Sequence, residues 1–251
     1  MSPVDADPPL SVDRLLDGRV VLRQARRGYR VAIDTVLVAA AVEARAGESV
    51  LDMGAGTGGV GLCVAARLGP VRLTAIERHP PHAALLRANL AMLEAEVVEA
   101  DVTSDALDGR RFAHIVTTPP FDRPDRQRPS PDLSSAAASQ ESVPLAVWIA
   151  RAARLLAPGG SLSVIHRADR LEELLRALPA HIGGLLVVPV RARAFSPLAH
   201  RVLVRGRHGR RAPLRLPRGL VMHAEDGRPT PVARSAEHTS ELQSRQSITY
   251  A

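Results

Sequence analysis

Three carboxylates and a run of glycines carry the first chemical signal. Asp52 stands just before Gly54, Gly56 and Gly58 in LDMGAGTGG, Glu77 closes RLTAIE, and Asp101 follows VVEA. Each acid ends a segment whose Val, Leu, Ile and Ala content reads as a buried strand, so successive parallel strands would set the three along one crevice. Carboxylates there suit a ligand with a ribose, an adenine and a positive centre. Glu77 can accept hydrogen bonds from both ribose hydroxyls, and Asp101 from an adenine amino group. The glycines let the backbone approach such a ligand without side-chain collision. The same turn, read as Gly54-x-Gly56-x-x-Gly59, also satisfies the dinucleotide fingerprint. A pyrophosphate would need donors and positive charge, however, and the acids here favour a cationic ligand.

The second signal is HIVTTPPFD, residues 114–122, where an apolar strand runs into Thr118-Pro119-Pro120-Phe121. Prolines cannot donate to a strand ladder, so they stiffen the chain and leave carbonyls free of competing pairing. An aromatic directly after them offers a flat surface at the strand's end.

These residues need a scaffold, and the hydrophobic periodicity supplies one. Residues 18–31 alternate as a hairpin, and 34–47 have helical spacing ending at Gly47. Strands are expected at 49–55, 72–78, 97–101, 112–118, 161–167, 184–190 and 200–207. Helices are expected at 59–69, 81–96, 144–160 (stopped by Pro158-Gly159-Gly160) and 169–180. Strands alternating with helices of this length make the fold class α/β, a doubly wound and mostly parallel seven-stranded sheet. About twenty residues after Phe121 have little pattern, and their position behind the proline motif favours a lid.

At the glycine turn and its acids the chain resembles the class I S-adenosylmethionine-dependent methyltransferases. The resemblance implies their Rossmann-like fold with an antiparallel last strand, S-adenosyl-L-methionine as cofactor, and cofactor contacts at Asp52, Gly54, Gly56, Gly58, Glu77 and Asp101. TPPF resembles the Asn/Asp/Ser-Pro-Pro-Tyr/Phe motif of the family's amino-methylating branch, which places the catalytic roles on Thr118, Pro119, Pro120 and Phe121. An exocyclic or amide nitrogen has its lone pair delocalised. Hydrogen bonds from that nitrogen to a side-chain oxygen and to the Pro119 carbonyl turn the lone pair toward the methyl group, while Phe121 stacks on the planar substrate. Thr118 stands where the branch usually has Asn or Asp, which implies weaker catalysis or an inactive cofactor- or RNA-binding descendant.

GYRVAIDTVLVAA, residues 28–40, resembles an element of the bacterial adenine-N6 methyltransferases that modify valine tRNA. The likeness continues through PLAVWIARAARLLAPGGSLSVIHRADRL and adds Tyr29 and Asp34 as candidate cofactor contacts, Asp34 being equally readable as a helix cap. It implies methylation of an adenine amino group in tRNA. Protein-glutamine and ribosomal-RNA guanine N-methyltransferases share the Pro-Pro motif and are the alternatives.

Composition sets the outer bounds. The 251 residues give a net charge of +7, with 33 basic residues that are all arginine. Either the coding bias of a GC-rich genome or a phosphate-facing surface produces such a balance, and charge alone does not decide between them. The single cysteine, Cys63, excludes a disulfide framework, and His79 and His82 have no ligand set around them, so no metal is expected. No leader or membrane-length apolar run is present, giving the expectation of a cytoplasmic monomer without membrane contact. Residues 1–17 are expected to be frayed and 18–233 to form one methyltransferase domain. SAEHTSELQS resembles a translated sequencing adapter, so 234–251 is expected to be a non-native tail.

Overall fold

The computed structural model describes residues 10–26, 31, 33–121, 143–231 and 233. Tyr29, the segment after Phe121 and the tail from residue 234 lie outside these. The described chain runs β1 (Leu10–Leu15), β2 (Val20–Ala25), α1 (Ile33–Ala40), β3 (Ser49–Met53), α2 (Gly59–Leu68), β4 (Arg72–Glu77) and α3 (Pro80–Leu90). It continues with β5 (Ala95–Glu99), β6 (Phe112–Thr117), α4 (Leu145–Leu155), β7 (Leu156–Arg167), α5 (Leu171–Ala177), β8 (Ile182–Arg193), β9 (Arg201–His208) and β10 (Leu220–His223).

β1 and β2 form an antiparallel hairpin, and the other eight strands form one sheet in the order β10-β8-β9-β7-β6-β3-β4-β5. β9 runs antiparallel to both its neighbours, β7 and β8, while the other pairs are parallel. Successive residues of a strand point to opposite faces, so the sheet feeds two cores. Val50, Ala75, Val116 and Ile165 pack with Val36, Val60 and Leu86 of α1–α3. Their neighbours Leu51, Ile76, Ile115 and Val164 pack with Leu145, Trp148 and Ile149 of α4 and Leu174 of α5. Full burial of each large apolar side chain contributes about 1.5–3 kcal/mol. Central strands buried on both faces are why β3 and β6 read as mostly apolar runs rather than alternating ones.

The doubly wound, mostly parallel architecture and the antiparallel Arg201–His208 strand match the sequence expectation, with corrections at several ends. Among the described residues the sheet has eight strands, not seven: β10 is four residues long, lies beyond a Pro- and Arg-rich stretch, and pairs parallel with β8. The start is ordered earlier than residue 18, because Leu10–Leu15 pairs with β2. α1 stops at Ala40, where tight bonds from the N–H groups of Ala41 and Val42 to Val38 and Ala39 close it, instead of running to Gly47. α3 stops at Leu90, and β5 begins at Ala95. α4 ends at Leu155 rather than at Pro158-Gly159-Gly160. Leu156 is already extended and pairs with Phe112, while the next pairing is His114 with Ser161, so the Pro-Gly-Gly segment bulges within a strand.

Candidate functional site

β3 and β6 are neighbours, with Met53 paired to Thr117, so the glycine turn and the Thr118-Pro119-Pro120-Phe121 segment leave the sheet side by side. The helix α2 lies on one face and α4 on the other. This is the point in an open α/β sheet where the chain winds off in both directions and ligands bind.

The turn is held by backbone. The N–H groups of Gly54 and Ala55 both donate to the Ile76 carbonyl, at 3.0 and 2.9 Å, folding the end of β3 over β4. Gly54, Gly56 and Gly58 have φ of 77°, 56° and 92°, a region costly for residues with a side chain. At Gly54 a Cβ would also lie 2.8 Å from the Trp148 ring.

The three acids do different work. Asp52 is buried and accepts the Gly61 N–H at 3.1 Å, strapping β3 to the first turn of α2. Burial raises its pKa to about 7; the Gly61 bond opposes this and the charge of Glu77 adds to it. Glu77 accepts the Gly56 N–H through Oε2 and the His79 N–H through Oε1, both at 2.8 Å. A carboxylate has about four lone-pair sites, so Glu77 retains acceptor capacity for a ligand's hydroxyls. Asp101 follows β5, beside Glu77 across the Ala100 N–H bond to the Glu77 carbonyl, 3.1 Å long. Its Oδ1 accepts from the Thr103 N–H and hydroxyl at 2.8 and 2.6 Å, and Arg78 lies 3.5 Å from Oδ2. Burial works against its ionisation, but these partners outweigh it and its pKa falls below the usual carboxylate value. The glycine turn, Glu77 and Asp101 thus bring side-chain-free backbone and acceptor oxygens together at one strand edge, which fits a ligand bearing hydroxyls and a positive centre.

The two threonines of HIVTTPPF have separate roles. Thr117 is buried; its hydroxyl donates to the Met53 carbonyl at 2.7 Å and accepts the Trp148 Nε1–H at 2.9 Å. Thr118 is half-buried at the strand's end, followed by buried Pro119 and half-buried Pro120 and Phe121. Two residues not singled out from the sequence meet Phe121. His166 at the end of β7 packs edge-on, with ring centroids 5.3 Å apart, and the guanidinium carbon of Arg201 lies 4.7 Å from the ring centroid.

Arg201 is in turn held by Asp34, Nε to Oδ2 at 2.8 Å. Asp34 is therefore not the cap of α1 but a residue of its first turn, tied to β9 and through Arg201 to Phe121. His166 is fully buried, and neither ring nitrogen has an aligned hydrogen bond among the described residues. Burial, with the charge of Arg170, lowers its pKa to about 4 despite the nearby Pro120 carbonyl, so the ring is neutral. Cys63 is buried on α2, and burial lifts its thiol to about 12, far from a nucleophile's range.

A family model described as the methyltransferase small domain matches residues 29–183. Over 173 residues the chain is 36% identical to the tRNA1(Val) (adenine(37)-N6)-methyltransferase of Porphyromonas gingivalis, covering 62% of this chain and 66% of that one. It is 30% identical over 152 residues to the release factor glutamine methyltransferase of Shewanella oneidensis, covering 57% and 52%. The matches span less than two thirds of these relatives' length. A crystal structure described as a predicted O-methyltransferase from Agrobacterium tumefaciens shares 28% identity at a TM-score of 0.68, covering 82% of this chain and 97% of that one. Because the family model takes in more than half of the sequence, this chain belongs to the methyltransferase small domain family, whose methyl donor is S-adenosylmethionine.

Proposed function

We propose that the chain transfers a methyl group from S-adenosylmethionine to the exocyclic amino group of an adenine in tRNA, acting as a cytoplasmic monomer built on a single methyltransferase domain. The observation that carries this is the pairing of Met53 with Thr117, which sets the glycine turn beside the Pro-Pro-Phe segment. The likeness to a tRNA adenine-N6 methyltransferase supports the substrate.

S-adenosylmethionine supplies an electrophilic methyl on a cationic sulfur. Glu77 would accept from the ribose hydroxyls, Asp101 from the adenine amino group, and the glycine turn would lie against the cofactor with no side chain between. Asp52 holds the turn on α2 rather than reaching outward. Phe121 stacks on the target base, and the Thr118 hydroxyl and Pro119 carbonyl accept from its amino group. That aims the nitrogen lone pair at the methyl. When bound, S-adenosylmethionine would give up its methyl to that nitrogen, the N–C bond replacing the S–C bond, and solvent would take the spare proton. Positioning does most of the work, and no strong base is required.

A glutamine side-chain amide presents the same nitrogen chemistry, and the likeness to release factor glutamine methyltransferases supports that second reading. Incubating the full chain with S-adenosylmethionine and either bulk tRNA or release factor separates the two. N6-methyladenosine in the digested tRNA is the expected product. Methylglutamine in the protein, with unchanged tRNA, would replace this reading by the second.

A further inference from the structure

The turn joining β8 to β9 carries a feature that the chemistry above does not use. Aromatic residues are only 2% of the chain, with three phenylalanines. Phe112 is in the core and Phe121 is in the site, but Phe195 is 62% exposed on this turn. Its neighbour Leu198 is 79% exposed. A fold so poor in aromatics gains nothing from leaving one in water.

The turn is a built structure. The Ser196 N–H donates to the Arg193 carbonyl at 3.0 Å, and the Arg193 N–H donates to the Ser196 hydroxyl at 3.2 Å. This reciprocal pair fixes the backbone around Phe195. The Arg193 guanidinium carbon lies 5.8 Å from the Phe195 ring centroid, an arginine over an aromatic face. The turn also stands at the site. β8 runs in the same direction as β7, so its end emerges with the ends of the strands that bear the glycine turn and the Pro-Pro-Phe segment. Arg201, the first residue after the turn, reaches the Phe121 ring. Two phenylalanine–arginine pairs therefore flank one short segment.

We infer that Phe195 and Arg193 form a second stacking platform, which takes an unpaired RNA nucleotide next to the base presented at Phe121. This deepens the RNA reading proposed above and rests on it. An exposed aromatic face stacks on any base, and an adjacent guanidinium meets the phosphate or adds a cation–π contact. The pair commits the surface to single-stranded rather than duplex RNA, since paired bases keep their faces covered.

The test uses the full chain, a fluorescein-labelled RNA stem-loop with an unpaired adenosine in its loop, and the same sequence annealed into a duplex. Phe195→Ala is expected to weaken stem-loop binding about tenfold, to leave duplex binding unchanged, and to leave S-adenosylmethionine binding by calorimetry as in wild type. Phe195→Trp is expected to restore stem-loop binding, which a mere folding defect would not allow. Equal stem-loop binding by wild type and Phe195→Ala overturns the inference, and if wild type still methylates the RNA, the proposed function survives. Conversely, Phe195-dependent binding without methyl transfer by wild type supports the platform and sinks the methylation reading. Wild type that binds no RNA overturns both.

Discussion

At the scale of single residues, the proposed function divides the site into groups that would touch a ligand and groups that hold those groups. Glu77 belongs to the first set, with acceptor capacity beyond its bonds to Gly56 and His79. Glu77→Gln should weaken S-adenosylmethionine binding about ten- to a hundredfold by calorimetry, the range for a hydrogen bond to a charged group. The same proposal puts Thr118 with it. An amide there can both reach further and orient the target nitrogen, so Thr118→Asn should raise the methylation rate about two- to tenfold. An unchanged rate would show that the hydroxyl already suffices.

Asp52 belongs to the second set, and its titration has a defined sign. Its pKa is raised to about 7 in the folded chain from an ordinary 3.8, so the folded state binds the proton more tightly. Its contribution to stability is full below the unfolded value and is lost as pH rises through about 7. Asp52→Asn keeps an oxygen for the Gly61 N–H but no titration. Melting temperatures at pH 5 and pH 8 should therefore fall less between the two for the variant than for wild type. His166 has the opposite sign: its pKa is lowered to about 4, so its contribution is present above 6.5 and lost as pH falls through about 4.

The acids, the glycines and Pro-Pro-Phe were legible because each is a short local pattern. Arg201, His166 and Trp148 were not, because their meaning lies in distant partners. Arg201 meets Asp34 across 167 positions, and Trp148 meets Thr117 across 31.

At the scale of elements, the strands of the sheet were readable from runs of buried apolar residues, whereas their ends were decided by pairing. β7 begins at Leu156 because Phe112 offers it a partner, although the Ala-Pro-Gly-Gly segment that follows looks like the end of a helix. β10 was missed for the same reason, since four residues become a strand only beside β8. The Thr117 hydroxyl joins three elements, linking β6 to the Met53 carbonyl of β3 and to Trp148 of α4. Thr117→Val keeps the shape but leaves the indole N–H and the carbonyl unpaired in a buried place. It should cost about 1–3 kcal/mol in chemical denaturation. A loss well below that would mean the join contributes little.

At the scale of the whole molecule, the chain combines 33 arginines, no lysine and a net charge of +7 with a site whose own acids suit a cation. The two ligands should then differ in their response to salt. Affinity for tRNA should fall steeply as salt rises, with a log–log slope of about 0.7–0.9 for each phosphate neutralised, while S-adenosylmethionine affinity should hardly change. Binding isotherms at a series of salt concentrations would check this, and a flat tRNA response would remove the electrostatic argument for RNA.

The most direct measurement is nucleoside mass spectrometry of bulk tRNA, taken from cells lacking this gene and incubated with the full chain and S-adenosylmethionine. New N6-methyladenosine, reduced by Glu77→Gln and raised by Thr118→Asn, is the expected result. No new methylated nucleoside, with cofactor binding demonstrated in the same preparation, would contradict tRNA adenine methylation as this chain's function.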